Sequence, residues 1–298
     1  MTALSATTTR LATGRRTKDH STASLVFLGL LWLSLLIAFV TLIALVVTTI
    51  DAGAPRLDAR LLTEYPSSRP EEAGARPAVL GSLWVIVTTA VLAIPLGIAA
   101  ALHLEEFADR RHWINRFVEL NIQNLSAIPS IIYGMLAIGA LTLIGVRNKN
   151  IVIGGALALA LLILPVVIIA TREALRAVPA EMREASLALG ATPLQTAWRI
   201  TLPSSIPGIA TGTILALSRA LGEAAPLLLL GALVFISFDP NGLLSGFTTM
   251  PIQIYGWTNS PQAGFRELAA AASVLLMVIL LAMNALAIVI RNRYQRRW

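Results

Sequence analysis

Cysteine is absent from the 298 residues. That excludes disulfides and thiolate metal sites. Lysine is nearly absent: Lys18 and Lys149 are the only two. Neither follows a G-x-x-x-x-G run, so the chain has no phosphate-cradling Walker motif of its own. The three histidines, His20, His103 and His112, show no H-E-x-x-H spacing and read as loop or interfacial residues. No G-x-S-x-G marks a hydrolase elbow. An intramembrane hydrolase would need a nucleophile and a base meeting inside the bilayer, and no motif pairs them. Charge is scarce too. Charged residues are 13% of the chain, against about 25% in average soluble domains.

Apolar residues fill the space left: 56% of the sequence, with a mean hydropathy of +0.75. A chain this apolar cannot cover its own surface in water, so its solvent is a bilayer. The net charge is +7. The basic residues sit at the ends of apolar runs, which marks membrane topology rather than a nucleic-acid partner.

The apolar pattern predicts an all-α protein with about six membrane spans. Residues 1–22 read as a disordered tail and 23–291 as the membrane domain, with 292–298 as a second tail. The spans fall near Ala23–Ile50, Ala78–Leu104, Phe117–Ile144 (interrupted at Pro129), Ile151–Thr171, a long fifth region Ile206–Phe238, and Leu268–Ile290. The first run is too long for a signal peptide and reads as a retained anchor. Residues 51–77, with four prolines, read as an exposed loop. One side of this topology holds fifteen of the 23 lysines and arginines and the other seven, with Arg219 alone deep in a span. By the positive-inside rule both termini are cytoplasmic.

The most informative segment is the polar stretch of about 172–203, which the same topology makes cytoplasmic. Pro179 suits a helix start and Gly190 a left-handed stop. Thr192-Pro193-Leu194-Gln195 has the form of a capping box. Two short helices joined by a glycine turn follow. Within them, Glu184-Ala185-Ser186, then Gly190, then Ile200 and Leu202-Pro203 resemble the EAA loop of ABC importer permeases. That resemblance implies that the loop docks on an ATP-binding subunit.

A second resemblance is narrower. Ala216 to Pro226, ALSRALGEAAP, is similar to the fifth-span signature of PstA-type permeases of bacterial phosphate importers, although members commonly have Thr at the place of Ala224. Pro129-Ser130-Ile-Ile-Tyr133-Gly134 matches that family's third span. Many members carry an arginine where this chain has Ile169. Arg172 lies three residues later, one helical turn on, and is a candidate to replace it from the same face. The resemblance implies a type I ABC permease in the bacterial plasma membrane, forming half of a phosphate pathway. The partners it implies are a sister permease, a pair of ATP-binding subunits that use ATP and Mg, and an extracytoplasmic phosphate-binding protein, all among membrane lipid. It implies no enzyme activity and no cofactor in this chain. An importer for sulfate or molybdate is the nearest alternative. An ion-coupled secondary transporter would instead show proton or sodium dependence, and a membrane scaffold would leave Arg219 and Glu223 without a purpose.

The candidate pathway residues are therefore Arg219, Glu223, Gly222, Ser130, Tyr133 and Arg172. Arg219 and Glu223 are spaced i, i+4 and would share a face if the helix were continuous. A charge at mid-span costs about 2.5–3.5 kcal/mol on insertion scales, so it needs a partner or a purpose. The two residues either neutralise each other for packing or line the pore. In the second case the guanidinium grips an oxyanion, Glu223 eases its release, and Gly222 admits close approach.

Overall fold

A computed structural model of the chain describes residues 22–109, 111–232 and 235–294. The predicted N-terminal tail, apart from its last residue, and the last four residues of the C-terminal one lie outside these. The described residues form two units, divided at Thr48. The first contains most of α1 (Thr22–Gly53), a helix with no charge before Asp51.

The second unit contains no strand among the described residues; its regular structure is all helix. Its long members are α3 (Arg76–Leu102), α6 (Val152–Arg176), α9 (Leu202–Leu221) and α12 (Ala263–Tyr294). Between them lie the short α2 (Arg60–Thr63), α4 (Trp113–Leu125), α5 (Ser130–Leu143), α7 (Ala180–Ala188), α8 (Pro193–Thr196), α10 (Ala225–Leu229) and α11 (Met250–Thr258). Five helices are long and apolar enough to cross a membrane. A sixth span exists if α4 and α5, which meet at 115°, are taken together. The interruption expected at Pro129 is thus a sharp bend: Pro129 caps α5 and has no N–H to continue α4 into it.

Small residues set the packing. On α9, Gly208 and Gly212 face Ala174 and Ala170 of α6 so closely that an added Cβ would lie 2.7 and 2.3 Å from those methyls. Such small-xxx-small seams let membrane helices approach without a hydrophobic driving force. Gly97 of α3 abuts Val167 of α6 in the same way, at 2.6 Å. Around these seams α3, α6, α9 and α10 share one core that includes Val85, Leu159, Ile163, Ala216, Leu221 and Leu227.

Three expectations need correction. Residues 51–77 are not simply an exposed loop: Leu61, Ala73 and Ala75 are buried against Phe265 and Leu268 of α12, and Gly53 touches the α12 backbone at Ala271. The stretch 250–258, between the fifth region and the last expected span, is not loop but α11; its start is held by Ser82 Oγ, which accepts from the Met250 N–H at 2.9 Å. Pro179 is the N-cap of α7 rather than its first helical residue. The fifth region, too long for one simple span, breaks where α9 ends at Leu221 and α10 starts at Ala225. The glycine turn and the capping box stand as expected: Gly190 has φ +85°, and Thr192 and Gln195 bond reciprocally.

Candidate functional site

The helix contacts give a common depth scale. Gly212 meets Ala170 and Gly208 meets Ala174, so α6 and α9 run antiparallel, and Arg219 lies level with about residue 163 of α6. Leu141 of α5 touches Gly154 of α6, and Ala137 clusters with Ala158, which places Ser130 level with about residue 165. The middle of α6 is also there. Two helix ends therefore meet halfway through the bundle: the N-terminus of α5 and the C-terminus of α9.

Side chains from both ends share this level. Arg219 is exposed on the surface of the chain, and so is Gly222, while Glu223 and Ser130 are half-buried. Tyr133, in the first turn of α5, is buried, and its hydroxyl donates to the Leu125 carbonyl at 2.5 Å. Gly134 packs on the backbone of Pro226, where an added Cβ would lie 2.6 Å from the carbonyl oxygen. That contact clamps α5 to α10 and fixes the gap between Tyr133 and the end of α9.

The expected i, i+4 pairing of Arg219 with Glu223 does not form. The helix stops at Leu221, so the two residues no longer share a face, and no ion pair joins them among the described residues. The reading that they merely neutralise each other loses its geometry. Gly222 lines the edge of an open cavity of about 530 Å³ that reaches Tyr255 and Thr258 on α11 and Ser273, Met277 and Leu280 on α12.

Arg172 lies elsewhere. It is level with about residue 210 of α9, nine residues from Arg219, or roughly 14 Å along the helix axis. Its side chain is only 9% exposed, and its guanidinium donates to Glu105 Oε2 at 3.3 Å and Glu119 Oε1 at 2.8 Å. Arg176 adds a bond to Glu105 Oε1 at 3.0 Å. The structure thus brings Arg219, Gly222, Glu223, Ser130 and Tyr133 into one region and sets Arg172 apart in an ion-pair cluster. The sequence reading missed Glu105 and Glu119, although four acids, Glu105, Glu106, Asp109 and Glu119, within residues 104–120 were the available signal.

The polar loop presents a different surface. Glu184, Ala185, Leu187, Leu189 and Gly190 are exposed along α7 and its turn, as is Pro203, while Leu202 is half-buried. Ser186 does not point outward with them: its hydroxyl bonds Thr196 Oγ1 at 2.9 Å and pins α7 to α8. A π-helical turn, Ala197–Thr201, then carries α8 directly into α9, so the loop and the mid-bundle site share one continuous helical path.

Comparison with known proteins places these features. A family described as binding-protein-dependent transport system inner membrane component matches residues 93–298. The phosphate transport system permease protein PstA of Pasteurella multocida is 34% identical over 265 residues, covering 88% of this chain and 89% of that protein. A probable ABC transporter permease, YqgI of Bacillus subtilis, is 32% identical over 79% of this chain and 83% of its own length. Among solved structures, the inward-facing MetNI methionine ABC transporter superposes with a TM-score of 0.60 at 20% identity, covering 77% of this chain and all of that one. A bacterial alginate ABC transporter with a pentasaccharide-bound periplasmic protein gives 0.59 at 15%, over 89% and 93%.

Proposed function

We propose that this chain, which belongs to the family of binding-protein-dependent transport system inner membrane components, forms half of the membrane pathway of an ATP-driven phosphate importer. The observation that carries the reading is the exposed Arg219 beside a broken helix at mid-depth. Non-helical backbone and a bare guanidinium are not tolerated against lipid; they belong where protein or water covers them. A sister permease facing α5 and α9 would supply that cover and the other wall of the pathway. Relatives named for phosphate transport share 34–35% of their residues with this chain over most of its length. A guanidinium suits that substrate, since its planar fork matches two phosphate oxygens at once. The first-turn amides of α5, at the positive end of its dipole, favour the same charge.

In this reading Arg219, Ser130 and Tyr133 line the path. Gly222 keeps it open, and Glu223, with no intrachain partner assigned to it, limits how tightly Arg219 holds the anion. Arg172 serves the helix ends rather than the ion. The exposed face of α7, with Glu184, Ala185 and Gly190, docks on an ATP-binding subunit, where ATP and Mg are consumed. An extracytoplasmic phosphate-binding protein delivers the substrate on the opposite side, and both termini are cytoplasmic. The test is uptake of labelled phosphate by vesicles containing the assembled complex, with sulfate and molybdate as competitors. Uptake that depends on ATP and resists both competitors supports the reading. Uptake stopped by a protonophore while ATP stays high would overturn it.

A further inference from the structure

We infer that Glu106 and Arg183 form the joint that passes motion of the docking helix α7 into the membrane helices. The inference rests on the coupling role assigned to α7 above and names the residues that perform it.

The geometry is specific. Arg183 lies on α7, one residue before the exposed Glu184, but turns the other way. Its guanidinium reaches three acceptors on two other elements. Nε donates to Glu106 Oε1 at 3.1 Å. One terminal nitrogen donates to the Leu175 carbonyl at 2.7 Å and the other to the Val178 carbonyl at 2.8 Å. Glu106 sits in the π-helical turn His103–Phe107 that ends α3. Leu175 belongs to the last turn of α6, where unpaired carbonyls and the negative end of the dipole favour a cation. One planar fork therefore ties the docking helix to the ends of α3 and α6 together. A lysine could satisfy one of these acceptors but not the set.

A second fork makes those ends a rigid plate. Arg172 of α6 bonds Glu105 of the same π-helical turn and Glu119 of α4, and the Glu105 side chain is only 4% exposed. α3 and α6 pack along their length at Gly97 and Val167. A displacement of α7 thus cannot be absorbed at its own end; it must tilt α3 and α6 as a pair, while α8 carries α9 through its continuous helix. Glu105, Glu106 and Arg183 act through other groups and touch no substrate, so they are positioning residues. Glu105 and Glu106, adjacent in this turn, face different ways: Glu105 accepts from Arg172 and Arg176, Glu106 from Arg183.

The experiment uses the whole importer in proteoliposomes and measures two quantities: ATP-binding subunit retained on co-purification, and phosphate moved per ATP hydrolysed. Glu106→Gln, which lies off the docking face, is expected to keep the subunit bound and lower phosphate per ATP by roughly ten-fold, within the usual range for coupling between sites. Glu106→Asp should recover most of that loss. Combining Glu106→Gln with Arg183→Gln should be no worse than the more damaging single change, because both break one joint. Phosphate per ATP unchanged in Glu106→Gln, or losses that multiply in the double variant, overturns the joint. Where these variants fail to assemble, the absence of cysteine permits spin labels at Phe107→Cys and Ala180→Cys in an otherwise unaltered chain. A single distance that does not change between nucleotide-free and ATP-bound states supports the joint; a distance that changes overturns it. Loss of the ATP-binding subunit from the unaltered chain would instead refute the docking role of α7, a separate result.

Discussion

Gly134→Ala is a sharp test of how the mid-bundle site is built. The substitution adds one methyl group on the buried face of α5. That methyl would lie 2.6 Å from the carbonyl oxygen of Pro226, 3.0 Å from its Cα and 3.2 Å from its carbonyl carbon. All three are backbone atoms, so no side chain can rotate away. Ordinary contact begins near 3.4 Å, and α10 must therefore retreat from α5 by about 0.8 Å or tilt by an equivalent amount. Forcing a methyl into a close-packed contact costs about 1–3 kcal/mol. The displacement also moves Tyr133 relative to Arg219, one residue and one helix end away. Gly139→Ala, in the same helix, is the control: its added Cβ meets nothing within 4 Å, and helix propensity alone shifts stability by no more than about 1 kcal/mol. The assay is phosphate uptake in vesicles at matched permease levels, with thermal denaturation in detergent alongside. Gly134→Ala should lower both uptake and melting temperature while Gly139→Ala changes neither downward. Unaltered uptake and melting in Gly134→Ala would mean that α5 and α10 are not clamped at this point, and the site's construction would be wrong.

Arg219→Gln should reduce phosphate uptake by at least about ten-fold without removing the protein from the membrane, since a charge-assisted hydrogen bond is worth about 1.5–3 kcal/mol; wild-type rates would place the path on another face. Gly190→Val should weaken co-purification with the ATP-binding subunit through backbone strain alone, because the left-handed conformation costs a non-glycine residue about 1–2 kcal/mol and no atom lies within 4 Å of its Cβ position. Gly190→Asn should be milder, and equal losses in the two would point to a steric cause. Gly81→Ala should destabilise the fold strongly, measured by melting in detergent, since its Cβ would fall 2.0 Å from the Thr248 carbonyl oxygen beside the start of α11. Asp239→Asn should lower the melting temperature in detergent, since it weakens the 2.6 Å bond from Arg76 and the bond from the Tyr65 hydroxyl at a carboxylate whose side chain is only 25% exposed.

The parts of the fold legible in the sequence were those governed by local rules. A run without charges names a span, Pro129 interrupts one, and Thr192 with Gln195 caps a helix through contacts within four residues. What stayed hidden depended on partners distant in sequence. The helix α11 has no strong pattern of its own and is anchored by Ser82, 168 residues away. The burial of Leu61 and Ala73 needs α12 to pack over them. The exact end of α9 at Leu221 was also hidden: the long fifth region names no break point, and only the observed end of the helix reveals that Arg219 and Glu223 part company.

The two buried-depth arginines carry the final argument, since they began as members of one candidate set. Arg172 is neutralised by two carboxylates and shielded from water. Only the loss of both carboxylates would leave this buried charge uncompensated, and while they stay its surroundings resist any role that requires binding and releasing a mobile ion. Arg219 has the opposite setting: an exposed head, no intrachain acid paired with it among the described residues, and a broken helix beside it. An anion can approach that guanidinium without displacing a resident carboxylate. The proposed function thus divides identical side chains, roughly 14 Å apart along the bundle axis, between holding helix ends together and meeting the substrate. The division is set by which acids the fold brings to each, a property that neither residue's own sequence neighbourhood contains.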